Sequence, residues 1–248
     1  MDFSWHARFT RQAAWTQDLR RHLFAQAGLD AARRVLEVGC GPGAILGEVA
    51  MRSTLAAHGL DREAGRLDEA RVHAPGATLA RGDALALPYP GATFDITFCH
   101  FLLLWVGDPL AALREMKRVT RPGGAVLALA EPDYGGRIDE PAELVPLGQA
   151  QAGALRRQGA DPGLGRRLAD LFREAGLPPV EAGTLRERGE GRPSPGEREE
   201  EWAVLAADLA GSVPEADLRR WKGLDEAAWA AGKRRLYVPT HFAWAKVA

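Results

Sequence analysis

The sequence contains no asparagine at all, and only two cysteines, three methionines and three tyrosines among its 248 residues. Cys40 and Cys99 both fall in apolar, strand-like runs. They form neither a disulfide framework nor a metal-ligand spacing, and they read as small buried side chains of a reducing compartment. Lysine occurs only at 117, 222, 233 and 246, so arginine carries most of the positive charge. The missing amide suits a thermophile, while high-GC codon usage accounts equally for the excess of arginine, alanine and glycine. A net charge of -1 leaves no broad cationic face for nucleic acid. No apolar run reaches the ~20 residues of a membrane span, and the charged N-terminus with Trp5-His6 lacks the form of a signal peptide. What remains is a soluble, cytoplasmic protein whose 46% hydrophobic residues supply a sizeable core.

The stretch that organises the chain is Val35-Leu36-Glu37-Val38-Gly39-Cys40-Gly41-Pro42-Gly43. A buried strand delivers the backbone to a glycine-rich turn where a ligand can approach closely, and a helical pattern follows from Ala44. Gly39-x-Gly41-x-x-Ala44 satisfies a loose dinucleotide fingerprint, so the turn alone leaves the cofactor open.

Around it the spacing predicts a helix over 9–27, a strand over 33–38, a helix over 44–51 and a strand over 55–60 ending at Asp61. A polar helix to about residue 71 and a strand over 77–80 follow, the latter running into Arg81-Gly82-Asp83. Residues 93–100 form a β-branched and aromatic strand, and Asp108-Pro109 opens a helix as N-cap and first-turn proline. Arg121-Pro122-Gly123-Gly124 reads as a tight turn before a fifth strand over 125–130. This alternation predicts a doubly wound α/β sheet with right-handed crossovers. Helices over 142–157 and 165–175, a strand over 180–188, a charged connection over 189–196, two further helices and a last strand over 236–247 complete the chain. Trp202, Trp221 and Trp229 fit the core of those late helices better than a binding cage. The expected organisation is a single domain over 1–248: an N-terminal helical cap (1–30), a cofactor-binding core (31–131), helices and a late strand (132–188), a helical insertion (189–235) and the last strand (236–248).

The acids at the strand ends bear on the cofactor. Asp61 lies 22 positions past Gly39, the offset of a ribose-binding acid, which serves any adenosine ligand. A carboxylate at Glu37, just before the glycines, repels the phosphates of a dinucleotide and suits a ligand bearing a sulfonium and an ammonium. That favours S-adenosylmethionine over NAD.

The segments VLEVGCGPG (35–43), GLD (59–61), GDALALPYPGATFDITFCHFLLLWV (82–106) and MKRVTRPGGAVLALAEPDYGG (116–136) resemble the class I S-adenosylmethionine-dependent methyltransferases. The resemblance covers 33–131 well, and VPTHFAWAKVA is similar to that family's antiparallel seventh strand. It implies a Rossmann-like, seven-stranded, mostly parallel sheet with helical lid insertions. It also implies a glycine loop (Gly39, Cys40, Gly41, Gly43) around the methionine end, Asp61 on the ribose, and Asp83 with Ala84 on adenine, and Arg62 beside Asp61 is a further cofactor-binding candidate.

Other positions carry alternatives. Gly82-Asp83 is also a plain turn and cap pair. His100 lines the methionine side of the pocket, acts as a base, or is simply packed. Glu131 and Asp133, with Tyr134, face where an acceptor should enter, and Glu131-Pro132-Asp133 suits loop structure equally. Arg8, Gln12, Trp15, Thr16 and Arg20 share one helical face, directed at the cofactor or packed on the sheet edge. The chain lacks an Asn-Pro-Pro-Tyr motif after the fourth strand and an acidic metal cluster. The expectation is a methyltransferase acting on a small-molecule acceptor, with no metal and an open oligomeric state. The competing readings are an NAD(P)-dependent oxidoreductase and a non-catalytic S-adenosylmethionine-binding protein.

Overall fold

A computed structural model describes residues 5–52, 55–185 and 193–248. The expected first helix is two: α1 (Trp5–Trp15) and α2 (Gln17–Ala27), parted at Thr16. The cause is local. The Ala13 carbonyl accepts from the Thr16 amide at 3.2 Å, from the Thr16 hydroxyl at 3.1 Å and from Arg20 Nη1, and the backbone turns there. Gly28 then closes α2 at a φ of 81°.

The core follows as β1 (Arg34–Val38), α3 (Leu46–Ala50), β2 (Ala56–Asp61), α4 (Ala64–His73), β3 (Thr78–Arg81), β4 (Phe94–Cys99), α5 (Pro109–Val119) and β5 (Thr120–Pro132). Asp108 caps α5 by accepting from the Ala111 amide at 2.9 Å. The expected turn at 121–124 is instead the irregular start of β5. Thr120 pairs with Phe94, the register shifts before Ile96 meets Ala125, and Gly123 donates to the Val247 carbonyl at 2.8 Å. Gly124 makes this possible, since a Cβ there would lie 2.5 Å from the Asp95 carbonyl.

The second half adds β6 (Ile138–Glu140), α6 (Val145–Arg157), α7 (Leu168–Glu174), β7 (Glu181–Thr184), α8 (Pro195–Leu209), α9 (Glu215–Ala230), β8 (Arg235–Tyr237) and β9 (Thr240–Lys246). The single strand expected over 236–247 is therefore two. Pro239 cannot donate to a ladder, so the chain leaves one sheet and enters another around it. Of the connection expected over 189–196, residues 189–192 lie outside the described residues, as do 186–188 of the late strand, and Pro195 already opens α8.

The main sheet runs β3-β2-β1-β4-β5-β9-β7, parallel except for β9, which is antiparallel to both neighbours. This is the seven-stranded doubly wound architecture. Alternate residues of each strand feed two cores. Val35, Ile96, Phe98 and Leu127 pack under α2, α3 and α4, while Leu36, Val126, Ala128 and Ala243 pack under α5 and α7. A third cluster, with Leu144, Leu147, Trp202, Leu209 and Trp221, joins α6, α8 and α9. The ribbon β6–β8 lies beside it, Asp139 opposite Leu236.

Candidate functional site

The chain order reverses between β1 and β4, and the carboxyl ends of the parallel strands there open onto one cavity of about 1440 Å³. That exceeds the roughly 300–1,000 Å³ of a pocket for one small ligand, so a cofactor and an acceptor fit together.

The glycine turn is built by its neighbours. Gly39 and Cys40 both donate to the Leu60 carbonyl, at 2.7 and 3.0 Å, which pins the turn to β2. Gly39 has a φ of 72°, and a Cβ there would come within 2.6 Å of Leu102 Cδ1. Gly41 has a φ of 51° with nothing within 4 Å of where a Cβ would stand, and it lines the cavity. Gly43 does not line it. It packs against α4, where a Cβ would sit 3.2 Å from Ala70 Cα.

Asp61 ties the turn and the next loop together. Its Oδ2 accepts from the Gly41 amide and its Oδ1 from the Glu63 amide, both at 2.9 Å. Each carboxylate oxygen retains a lone pair, and the side chain lines the cavity, as a ribose diol requires. Arg62, exposed beside it, gives its carbonyl to Arg81 Nε and also borders the cavity.

Glu37 is 3% exposed, and its Oε2 has no hydrogen-bond partner. Burial pushes its carboxyl well up, only partly countered by the Arg20 guanidinium and a hydrogen bond from the Leu46 backbone. The same burial, with the negative field of Glu37 and Asp61, drives the Cys40 thiol far above its ordinary range. Cys40 is therefore an inert wall. This arrangement opposes a pyrophosphate. It fits a cationic amino-acid tail, whose ammonium would answer the orphaned Glu37 oxygen. Asp83 is both turn and wall. Its Oδ1 accepts from the Leu85 amide at 2.9 Å, while Asp83, the buried Ala84 and the exposed Leu85 border the cavity beyond β3.

His100, at the end of β4, also lines the cavity, and its Nε2 is 3.1 Å from Thr16 Oγ1. Thr16 in turn accepts from Arg20 Nη1 at 2.7 Å, and Arg20 Nη2 reaches Glu48 at 2.6 Å. Burial and the nearby Arg20 cation push His100 down to about 3. It is neutral at physiological pH and only weakly basic. The α1–α2 junction is thereby tied to the floor of the site. Gln12 and the exposed Trp15 line the cavity from α1 as expected, whereas the Arg8 side chain lies outside the described residues.

Two expected acids face elsewhere. Glu131 is fully buried, and it accepts from the amides of Leu102, Leu103 and Leu104 at 3.0, 2.9 and 3.2 Å. It caps the loop after β4 instead of meeting an acceptor. Asp133 accepts from Gly135 and Gly136 and holds Arg166 in a fork at 2.8 and 2.7 Å. Neither reaches the cavity, although Tyr134 between α6 and the loop does.

The far chamber was not foreseen. Phe101, Leu102 and Trp105 from the β4 loop, Leu147, Gln151 and Leu155 from α6, Trp202 and Leu205 from α8, and Arg137, Leu236 and Tyr237 from around the ribbon enclose it. Trp202 and Trp221 belong to the core as expected, but Trp202 and Trp229 also border this chamber.

Within this fold, residues 36–128 match the family model described as "Methyltransferase domain". The chain is 35% identical over 118 residues to malonyl-[acyl-carrier protein] O-methyltransferase of Serratia marcescens, covering 46% of this chain and 45% of that one. It is likewise 35% identical over 128 residues to demethylmenaquinone methyltransferase of Anoxybacillus flavithermus, covering 49% and 52%. The chain thus spans about half the length of these curated relatives. Phosphoethanolamine N-methyltransferase 2 of Haemonchus contortus, solved with phosphomonomethylethanolamine and S-adenosylhomocysteine, shares the fold. Its TM-score is 0.60 at 18% identity over 94% of this chain and 53% of that one.

Proposed function

We propose that this protein transfers a methyl group from S-adenosylmethionine to a small-molecule acceptor held in the far chamber. The observation that carries the reading is the unpartnered, buried Glu37 oxygen beside the Gly39–Gly41 turn, in the same cavity as Asp61. Acid at that place favours a cationic tail over the phosphates of NAD, and both curated relatives described above bear methyltransferase names.

Bound there, S-adenosylmethionine supplies a methyl group on a positively charged sulfur that is already activated for displacement. The chain's own task is alignment. Gly39, Cys40 and Gly41 let the backbone approach the amino-acid end, Asp61 grips the ribose, and Asp83 with Ala84 and Leu85 frames the base. α1 closes one side through Gln12 and Trp15, with Thr16 fixing its position against His100. With Glu131 and Asp133 turned away and His100 neutral, no strong base among the described residues faces the cavity near β4. The acceptor suited to this site brings a nucleophile that needs little help in losing a proton. Incubation with methyl-labelled S-adenosylmethionine and the small-molecule fraction of a cell extract tests the reading: label should move to a compound of low mass. Binding of the adenosyl ligand with no transfer to any component would favour a non-catalytic binding protein.

A further inference from the structure

The far chamber has a polar corner between β6 and α6. Arg137, just before β6, donates from Nε to Asp139 Oδ2 at 2.6 Å and from Nη2 to Asp139 Oδ1 at 2.9 Å. Its Nη1 donates to Gln151 Oε1 on α6. The pair is deeply set, with side chains 7% and 3% exposed. Gly148, one turn before Gln151, creates the space: a Cβ there would lie 2.5 Å from Asp139 Oδ2 and 2.9 Å from Arg137 Nε.

The orientation of Gln151 follows from this. A guanidinium has no acceptor, so the amide must turn its oxygen to Arg137 and its NH2 away. That NH2 has no hydrogen-bond partner among the described residues, and Gln151 lines the cavity. Arg137 also lines it and keeps N–H groups beyond the three already engaged. The corner therefore presents donors toward the cavity, while each nearby carboxylate oxygen is already engaged by at least one donor. Asp139 is shared by Arg137 and Arg234, and Asp225 takes Arg234 Nε at 2.6 Å and Trp202 Nε1 at 2.9 Å. Two buried arginines face two buried aspartates, so the donors are aimed without a net charge. The surrounding walls, Leu147, Leu155, Trp202 and Tyr237 among them, are apolar or aromatic.

Resting on the methyltransferase reading, we infer that the acceptor has an apolar, ring-sized body and an oxygen-bearing group, a carbonyl or a carboxylate, that docks on the Gln151 amide and Arg137. The corner is an oxygen-reading subsite, with Gln151 as its specificity-determining residue. A cationic or purely hydrocarbon head is rejected, because it leaves these buried donors without a partner.

Four probes of one shape test this on the full chain saturated with S-adenosylhomocysteine: 1-acetonaphthone, 1-naphthoate, 1-ethylnaphthalene and 1-naphthylmethylammonium, titrated by ligand-detected NMR. At least one oxygen-bearing probe should bind about tenfold more tightly than the hydrocarbon and the ammonium, the scale of one hydrogen bond to a charged group. Whichever of ketone and naphthoate binds better identifies the head as carbonyl or carboxylate. Gln151→Leu should bring the oxygen-bearing probes to within about threefold of the hydrocarbon. Gln151→Glu should reverse the order in favour of the ammonium. Equal binding of all four, a preference for the hydrocarbon or ammonium, or no binding by any probe overturns the inference. If S-adenosylhomocysteine itself does not bind in the preceding calorimetric titration, the methyltransferase reading has failed instead.

Discussion

At the scale of single residues, the site separates carboxylates that meet a ligand from carboxylates that hold the chain. Asp61 does both, accepting from Gly41 and Glu63 while facing the cavity. Asp61→Ala should weaken S-adenosylhomocysteine by about 2–3 kcal/mol, the scale of charge-assisted hydrogen bonds to a diol. Calorimetry reads this directly, and unchanged affinity would remove Asp61 from the ribose. Glu131 holds the chain, and its pH dependence has a definite sign. Burial raises its carboxyl to about 7, against the restraint of three backbone amides. The folded state then binds the proton more tightly than the unfolded chain does. The resulting stability is complete below the unfolded carboxylate range and fades as pH climbs to 7. Relative to Glu131→Gln, the wild type should lose about 3 kcal/mol of unfolding free energy between pH 4.5 and 7.5. Urea titrations of both proteins across that range check it, and parallel pH curves would contradict it.

At the scale of elements, the cap α1–α2 and the ribbon β6–β8 bring remote residues to the cavity. Arg234 ties the ribbon to α9: it donates to Asp139 at 2.7 Å and to Asp225 at 2.6 Å with its side chain 1% exposed. Arg234→Met leaves two buried aspartates short of a partner and should destabilise the fold by about 3–5 kcal/mol, read as a drop in the urea midpoint. These same contacts explain what the sequence could and could not tell. Strands β1 to β5, the turn at 39–41 and Asp61 announce themselves through local pattern, because a strand end followed by glycine or acid has few other uses. The far chamber depends on partners such as Arg234 and Asp139, 95 positions apart, and no local pattern records that meeting. Glu131 and Asp133 were ambiguous for the same reason. An acid at a strand end reads alike as ligand or cap until the amides of Leu102 to Leu104, or the Arg166 fork, are seen beside it. A third glycine such as Gly43 serves the turn or the helix behind it with equal fitness, and its packing against α4 is visible only in the fold. Gln151 gave no signal, since a half-buried glutamine on a helix has no distinguishing neighbour in sequence.

At the scale of the whole molecule, one cavity joins a cofactor end lined by the acids Glu37 and Asp61 to a largely apolar chamber with a donor-bearing corner. No helix among the described residues is long and apolar enough to cross a membrane. The acids at the cofactor end, Glu37 above all, are what distinguish a glycine turn suited to S-adenosylmethionine from one suited to a dinucleotide. Calorimetric titration of the full chain with S-adenosylhomocysteine and, separately, with NAD tests this distinction most directly. Saturable binding of S-adenosylhomocysteine with no heat from NAD is the predicted result; binding of NAD alone would contradict the account.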